Sequence, residues 1–252
     1  MNEPAGHNPT RLWIAVLALL GGAALLWTFD GPISDVARGL GSSLGGDLKR
    51  ELDTLQQFGG VGSLAIVSLV VWFADPPMRR RLLDLGAAAG LTSLAALGLK
   101  MLVGRPRPKF EDPQIALGPL GAYPITDADP PGVYRAWDLS APISSDLWSM
   151  PSSHTSAAVV LAVFLAIVYP RLIPLAAALA VIVGLGRVLM GWHYPSDVLV
   201  GAAVGLAVAV PAVRGFWGTR LLDWIWRSAI DRNAEAAYPA LAAACAARRD
   251  AV

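Results

Sequence analysis

The sequence predicts an all-α fold, an integral membrane bundle of six transmembrane helices. Two observations carry that expectation. The 252 residues are 55% hydrophobic and 15% charged, with a mean hydropathy of +0.51, well away from the composition of a soluble globular domain. Apolar segments then recur at 12–28, 59–74, 82–103, 155–169, 172–190 and 196–213, each near the length that crosses about 30 Å of hydrocarbon. A net charge of +1 gives no sign of a nucleic-acid partner. The single cysteine, Cys245, excludes an internal disulfide and any cysteine-based metal site.

Taken in order, the first segment is read as a retained helix, because the following "WTFDGPISD" lacks a small-x-small cleavage site. Residues 29–58 are polar and are expected to hold one short interfacial helix between their glycines. The linkers "DPPMRRR" (75–81) and "YPRL" (169–172) are short, whereas 104–154 is long. In the last span, Gly201 and Gly205 form a small-xxx-small pair that invites another helix to approach closely. The tail opens with "GFWGTRLLDWIWRSAIDR", a mixture of Trp, Leu, Ile and Arg suited to a helix lying in the membrane interface. Three parts follow: 1–58 as a first helix and polar connection, 59–213 as a core, and 214–252 as a tail. Six spans put both termini on one face, with Arg11, both short linkers and the arginines of the tail. The positive-inside rule makes that face cytoplasmic.

Three polar clusters need explaining in so apolar a chain, since ionisable groups near lipid are costly. The first is "KMLVGRPRP" (100–108), where Lys100, Arg105 and Arg107 surround a proline-stiffened helix exit. Guanidinium groups fork onto phosphate oxygens and keep their charge, although a basic cluster also suits lipid head groups. The second is "SMPSSHTSAAVV" (149–160), where Ser152, Ser153 and His154 open the fourth span. Unpaired N–H groups at a helix start can bind an anion, and a serine-rich start also caps a helix. The third is "GRVLMGWHYPSD" (186–197), with Arg187, His193 and Asp197. Pro195 suits the first helical position, which places Asp197 in the first turn, able to reach back to the His193 ring. All three clusters fall on the face opposite the arginine-rich one, so the active site is expected at the non-cytoplasmic ends of the helices.

These residues resemble the signatures of the type-2 phosphatidic acid phosphatase (PAP2) superfamily, which includes the vanadium haloperoxidases. The family patterns Lys-x6-Arg-Pro, Pro-Ser-Gly-His and Ser-Arg-x5-His-x3-Asp are met by Lys100-x6-Arg107-Pro108, Pro151-Ser152-Ser153-His154 and Gly186-Arg187-x5-His193-x3-Asp197. The resemblance implies that Lys100, Arg107 and Arg187 clamp phosphate, with Ser152 and the N–H groups of Ser153 and His154 completing the cradle. It implies that His193 attacks phosphorus, Asp197 orients His193, and His154 protonates the leaving oxygen. No cofactor and no metal are implied. The implied activity is a phosphatase acting on a membrane lipid phosphate or pyrophosphate, such as phosphatidic acid, phosphatidylglycerophosphate, undecaprenyl pyrophosphate or a lipid A phosphate. The same residues also fit a lipid phosphotransferase. A lipid-binding scaffold or transporter is the non-enzyme alternative. Ser153 and Gly186 depart from the family's glycine and serine. Arg105, outside the family spacing, is assigned a head-group contact.

Overall fold

The computed structural model describes residues 9–138 and 144–250. Residues 1–8, 139–143 and 251–252, with the side chains of 249 and 250, lie outside that description. Ten α-helices and one small hairpin are formed among the described residues, besides short 3-10 turns, in the order α1 (Pro9–Trp27), α2 (Asp30–Ser43), α3 (Gly46–Gln56), α4 (Val61–Ala74), α5 (Arg81–Val103), β1 (Tyr123–Ile125), β2 (Gly132–Tyr134), α6 (Ser153–Val168), α7 (Ile173–Leu189), α8 (Pro195–Arg214), α9 (Trp217–Ala229) and α10 (Tyr238–Asp250).

Every expected apolar segment is helical. Four helices, α1, α5, α7 and α8, are long and apolar enough alone to cross a membrane, and α3 with α4 meets that measure only as a pair bent by 64° at the break between them. The sixth apolar helix, α6, has 16 residues and rises only about 24 Å. It lies at the centre of the bundle, where α5, α7 and α8 pack around it and Ala158, Leu161 and Phe164 are buried. The side chains of α1 and α4 instead remain largely exposed in the isolated chain, as lipid-facing helices must be.

The close approach expected at Gly201 and Gly205 is present. A Cβ at Gly201 would lie 2.6 Å from the Ser152 carbonyl oxygen, and one at Gly205 would lie 2.9 Å from that of Ser156. Ser156 Oγ uses the proximity to donate to the Gly201 carbonyl at 3.0 Å. The two glycines therefore set how near the start of α6 lies to α8.

Two expectations are corrected. Residues 29–58 form two helices, α2 and α3, rather than one, because the chain breaks and restarts at Leu44-Gly45. The all-α expectation also misses the antiparallel pairing of β1 with β2 in the long connection. There Tyr123, Ile125 and Leu147 bury one another beside Phe110 and Trp148, which gives the 104–148 connection a small core of its own. At the opposite end of the bundle, α9 packs against α5, and Arg248 on α10 grips Asp75 at 2.6 and 2.9 Å.

Candidate active site

The site grows from the ends of four helices. Lys100 lies in the last turn of α5, and Gly104 ends that helix at φ +57, a left-handed conformation in which glycine carries no Cβ penalty. The chain then runs against the segment before α6. The Arg107 N–H donates to the Asp146 carbonyl at 2.9 Å, and the Ser149 N–H donates to that of Arg105 at 3.0 Å. Lys100 Nζ donates to the Trp148 carbonyl at 2.6 Å, and Arg107 Nε donates to that of Ser145 at 2.7 Å. Backbone carbonyls thus hold these two cations without neutralising them.

Ser152 is the N-cap of α6, its Oγ accepting from the Thr155 N–H at 3.5 Å and from Thr155 Oγ1 at 3.0 Å. The Ser152 N–H donates to the Asp197 carbonyl at 3.0 Å, which ties the start of α6 to the start of α8. The Ser153 and His154 N–H groups occupy the first helical turn, take no partner among the described residues, and point the positive end of the helix dipole outward. Ser153 keeps ordinary helical geometry with an exposed side chain, so the position does not require a glycine.

The turn after α7 folds back on the helix that precedes it. The His193 N–H donates to the Arg187 carbonyl at 3.2 Å, fixing the two residues relative to each other. His193 is buried, and its Nδ1 lies 2.7 Å from the Ser149 carbonyl oxygen. A carbonyl only accepts, so Nδ1 carries the proton and Nε2 is left as the lone-pair nitrogen. Burial pulls the His193 imidazolium down to about 4, against the opposing negative charge of Asp197.

Asp197 sits in the first turn of α8, as its spacing from Pro195 predicts. Its contact with His193 is looser than expected, at 3.7 Å from Nδ1. Asp197 Oδ2 accepts instead from Ser149 Oγ at 2.5 Å and from the Tyr194 N–H at 2.8 Å. It therefore grips the two neighbours that hold the imidazole, and the Ser149 carbonyl takes the ring proton.

Lys100, Arg107 and Arg187 lie within electrostatic reach of one another and of His154. None of the three forms an ion pair among the described residues. Arg187 Nε is buried without a partner, and the guanidinium groups of Arg107 and Arg187 both face the Trp192 ring. Among the described residues, three cations without an ion-pair partner, two histidines and a free helix start converge on this end of the bundle, an arrangement with the chemistry to receive an anion.

The family model for the PAP2 superfamily matches residues 81–220. The chain belongs to the PAP2 superfamily. Its sequence is 33% identical over 143 residues to the decaprenylphosphoryl-5-phosphoribose phosphatase of Mycobacterium tuberculosis (strain ATCC 25618 / H37Rv), covering 57% of this chain and 66% of that protein. The protein of the same name from Mycolicibacterium smegmatis is 30% identical over 128 residues, 51% of this chain and 56% of the relative. The chain thus spans less than two thirds of the curated relatives it matches. Among solved structures, the PAP2-type phosphatidylglycerolphosphate phosphatase from Bacillus subtilis superposes with a TM-score of 0.54 at 23% identity, covering 82% of this chain and 94% of that one. Aquifex aeolicus LpxE gives 0.50 at 17%, covering 71% and 93%. At those identities the likeness concerns the fold, that of PAP2 membrane phosphatases.

Arg105 requires a correction. A head-group contact was expected, yet its side chain is 0% exposed and committed to Asp197, Asp30 and Ser196. Sequence reasoning also missed Asp30, Ser149 and Gln56. Ser149 lies two residues before the Pro151 that opens the second signature, which was the only available signal. Asp30 and Gln56 come from the 29–58 connection, outside any signature. Gln56 explains the departure at Gly186: a Cβ there would lie 2.8 Å from Gln56 Cγ and Cδ. A buried amide occupies the space a serine side chain would need.

Proposed function

We propose that this chain is an integral membrane phosphatase with six spans, which hydrolyses a lipid phosphomonoester or diphosphate at the non-cytoplasmic leaflet of the plasma membrane. The observation that carries this reading is the convergence of Lys100 and Arg107 on His193, whose lone-pair nitrogen is set by the Ser149 carbonyl, with Arg187 joining them around His154. His193 Nε2 attacks phosphorus as the bond to the leaving oxygen breaks, and protonated His154 gives that oxygen its proton. Neutral His154 then takes a proton from water, whose oxygen displaces His193 and releases inorganic phosphate. Lys100, Arg107, Arg187 and the free N–H groups of Ser153 and His154 stabilise the charge that spreads over the phosphoryl oxygens. Ser152 shapes this cradle as the cap of α6, and Asp197 fixes the nucleophile.

A lipid substrate is supported by an apolar cavity of about 240 Å³ between α4, α5 and α6. Lys100, Trp148 and Ser153 line its polar end, and Leu64, Val160 and Leu161 continue it into the bundle. A phosphate held at Lys100 would leave its hydrocarbon chain beside that cavity. The curated relatives make a polyprenyl-linked phosphomonoester the first substrate to try, with glycerophospholipid phosphates next. The arginine-rich end of the bundle is assigned to the cytoplasm by the positive-inside rule.

Purified protein is expected to release phosphate in excess EDTA from at least one member of a panel. That panel contains decaprenylphosphoryl-5-phosphoribose, phosphatidylglycerophosphate, phosphatidic acid and undecaprenyl pyrophosphate. Vanadate is expected to inhibit the release. Lack of EDTA-resistant release from all four would overturn the reading, and transfer of phosphate to an added acceptor lipid in preference to water would identify a phosphotransferase.

A further inference from the structure

Arg105 is shared between two carboxylates. One terminal nitrogen donates to Asp197 Oδ1 and Ser196 Oγ, both at 2.7 Å. The other donates to Asp30 Oδ2 at 2.7 Å and to the Pro113 carbonyl. The Trp27 and Tyr194 rings lie 3.9 and 4.2 Å from the guanidinium carbon. Asp30 also accepts the Ser196 N–H at 3.0 Å and the Ser196 hydroxyl. Arg105, Asp30 and Asp197 are all fully buried. Every group around Asp30 donates, so its geometry is that of an ionised carboxylate, which offers acceptors only.

Counting charge shows what the arrangement does. A lone Arg105–Asp197 pair would be neutral. His193 would then have no net negative charge to oppose Lys100 on α5 and Arg107 on the following segment. His154 on α6 faces these two cations and Arg187 on α7. Adding Asp30 makes the triad net negative, so one uncancelled carboxylate charge stays beside the ring on which positive charge develops during attack. Asp30 also braces the first turn of α8, the turn that carries Asp197.

We propose that Asp30 is a positioning residue of the phosphoryl-transfer site, sharing Arg105 so that Asp197 keeps an uncancelled charge beside His193. This rests on the phosphatase reading above and assigns the start of α2 a part in it. Burial pushes the Asp30 carboxyl up from its usual range, against the bonds from Ser196 and Arg105.

The test is the pH profile of kcat/KM on phosphatidic acid in detergent micelles, or on whichever panel lipid the wild-type protein turns over. Asp30→Asn is expected to lower kcat about tenfold and to move the acid limb down by about one pH unit, since the buried Asp30–Arg105–Asp197 triad loses its net negative charge. Asp30→Glu keeps the charge and should keep the wild-type limb. The double variant Asp30→Asn/Arg105→Gln again leaves one net negative charge and should return the limb to its wild-type position. A lower kcat with an unmoved limb in Asp30→Asn would mean a structural brace alone and would overturn the proposal. Should that variant fail to fold, the double variant decides, and a displaced limb there overturns it equally. An inactive wild-type protein would sink the phosphatase reading and this proposal together, whereas an active one with unmoved limbs sinks only the role of Asp30.

Discussion

Both ends of the bundle bury an arginine completely, and each uses it differently. At the end that carries α9, Arg81 donates to Asp84 Oδ2 at 2.5 Å and to the Val213 carbonyl at 2.7 Å. Asp84 in turn accepts the Thr219 N–H at 2.8 Å and its hydroxyl at 3.0 Å, and Phe216 lies 3.8 Å from the Arg81 guanidinium carbon. One cation meets one anion, and the pair locks α9 onto α5. At the other end Arg105 meets two carboxylates, while Lys100, Arg107 and Arg187 form no ion pair among the described residues. A balanced pair serves the fold. An unbalanced cluster held by carbonyls and packing costs stability, and it suits an anion that arrives from outside.

The largest effect should come from the centre of the unbalanced end. His193→Ala is expected to reduce turnover about 10⁴-fold or more, with detergent thermal melting unchanged. Retention of a tenth of the wild-type rate would remove His193 as nucleophile. The comparison between the ends is sharpened by two matched substitutions. Lys100→Met should lower kcat/KM about 10²- to 10³-fold without lowering the melting temperature, because an unpaired cation beside two others is removed. Arg81→Met should do the reverse, costing about 3–5 kcal/mol by leaving Asp84 buried and unpaired, with near-normal activity per folded molecule. If both variants lost stability alike, the distinction between the ends would collapse.

A smaller effect concerns pH. In the proposed mechanism His193 must be neutral to attack, and burial pulls its pKa down to about 4. The neutral form therefore prevails above pH 4, so the acid limb of kcat/KM should appear only as pH drops through about 4, while loss of the His154 proton sets the basic limb. An acid limb near the unperturbed value of about 6.5 would place the imidazole in a more open setting. The smallest effect is expected at Gly186. Gly186→Ser drives a side chain into the Gln56 amide, a flexible neighbour, so a loss of about 1 kcal/mol in stability and a change in rate of a few fold are expected. Pairing it with Gln56→Ala should restore the stability.

Much of the site was legible because its spacing is local. Pro195 and Asp197 share one helical turn, Lys100 and Arg107 flank one helix exit, and Ser152 to His154 form one helix start. Residues a few positions apart declare their joint placement through helix geometry. The sharing of Arg105 was not legible, because Asp30 lies 75 residues away from it. Ser149 was half legible, close to a signature yet acting through a carbonyl that any residue type provides. Gly186 looked like a missing hydroxyl until Gln56 was found in the space.

Hydropathy and charge determined the helices, the sorting of polar clusters to one end, and the residue types for a phosphate cradle, because those follow from composition and short-range periodicity. Tertiary structure alone decided which cations stay unpaired, which carbonyl takes the imidazole proton, and how Arg105 is divided between Asp30 and Asp197. Those outcomes depend on groups from distant helices competing for the same few donors, and no single stretch of chain encodes the result of that competition.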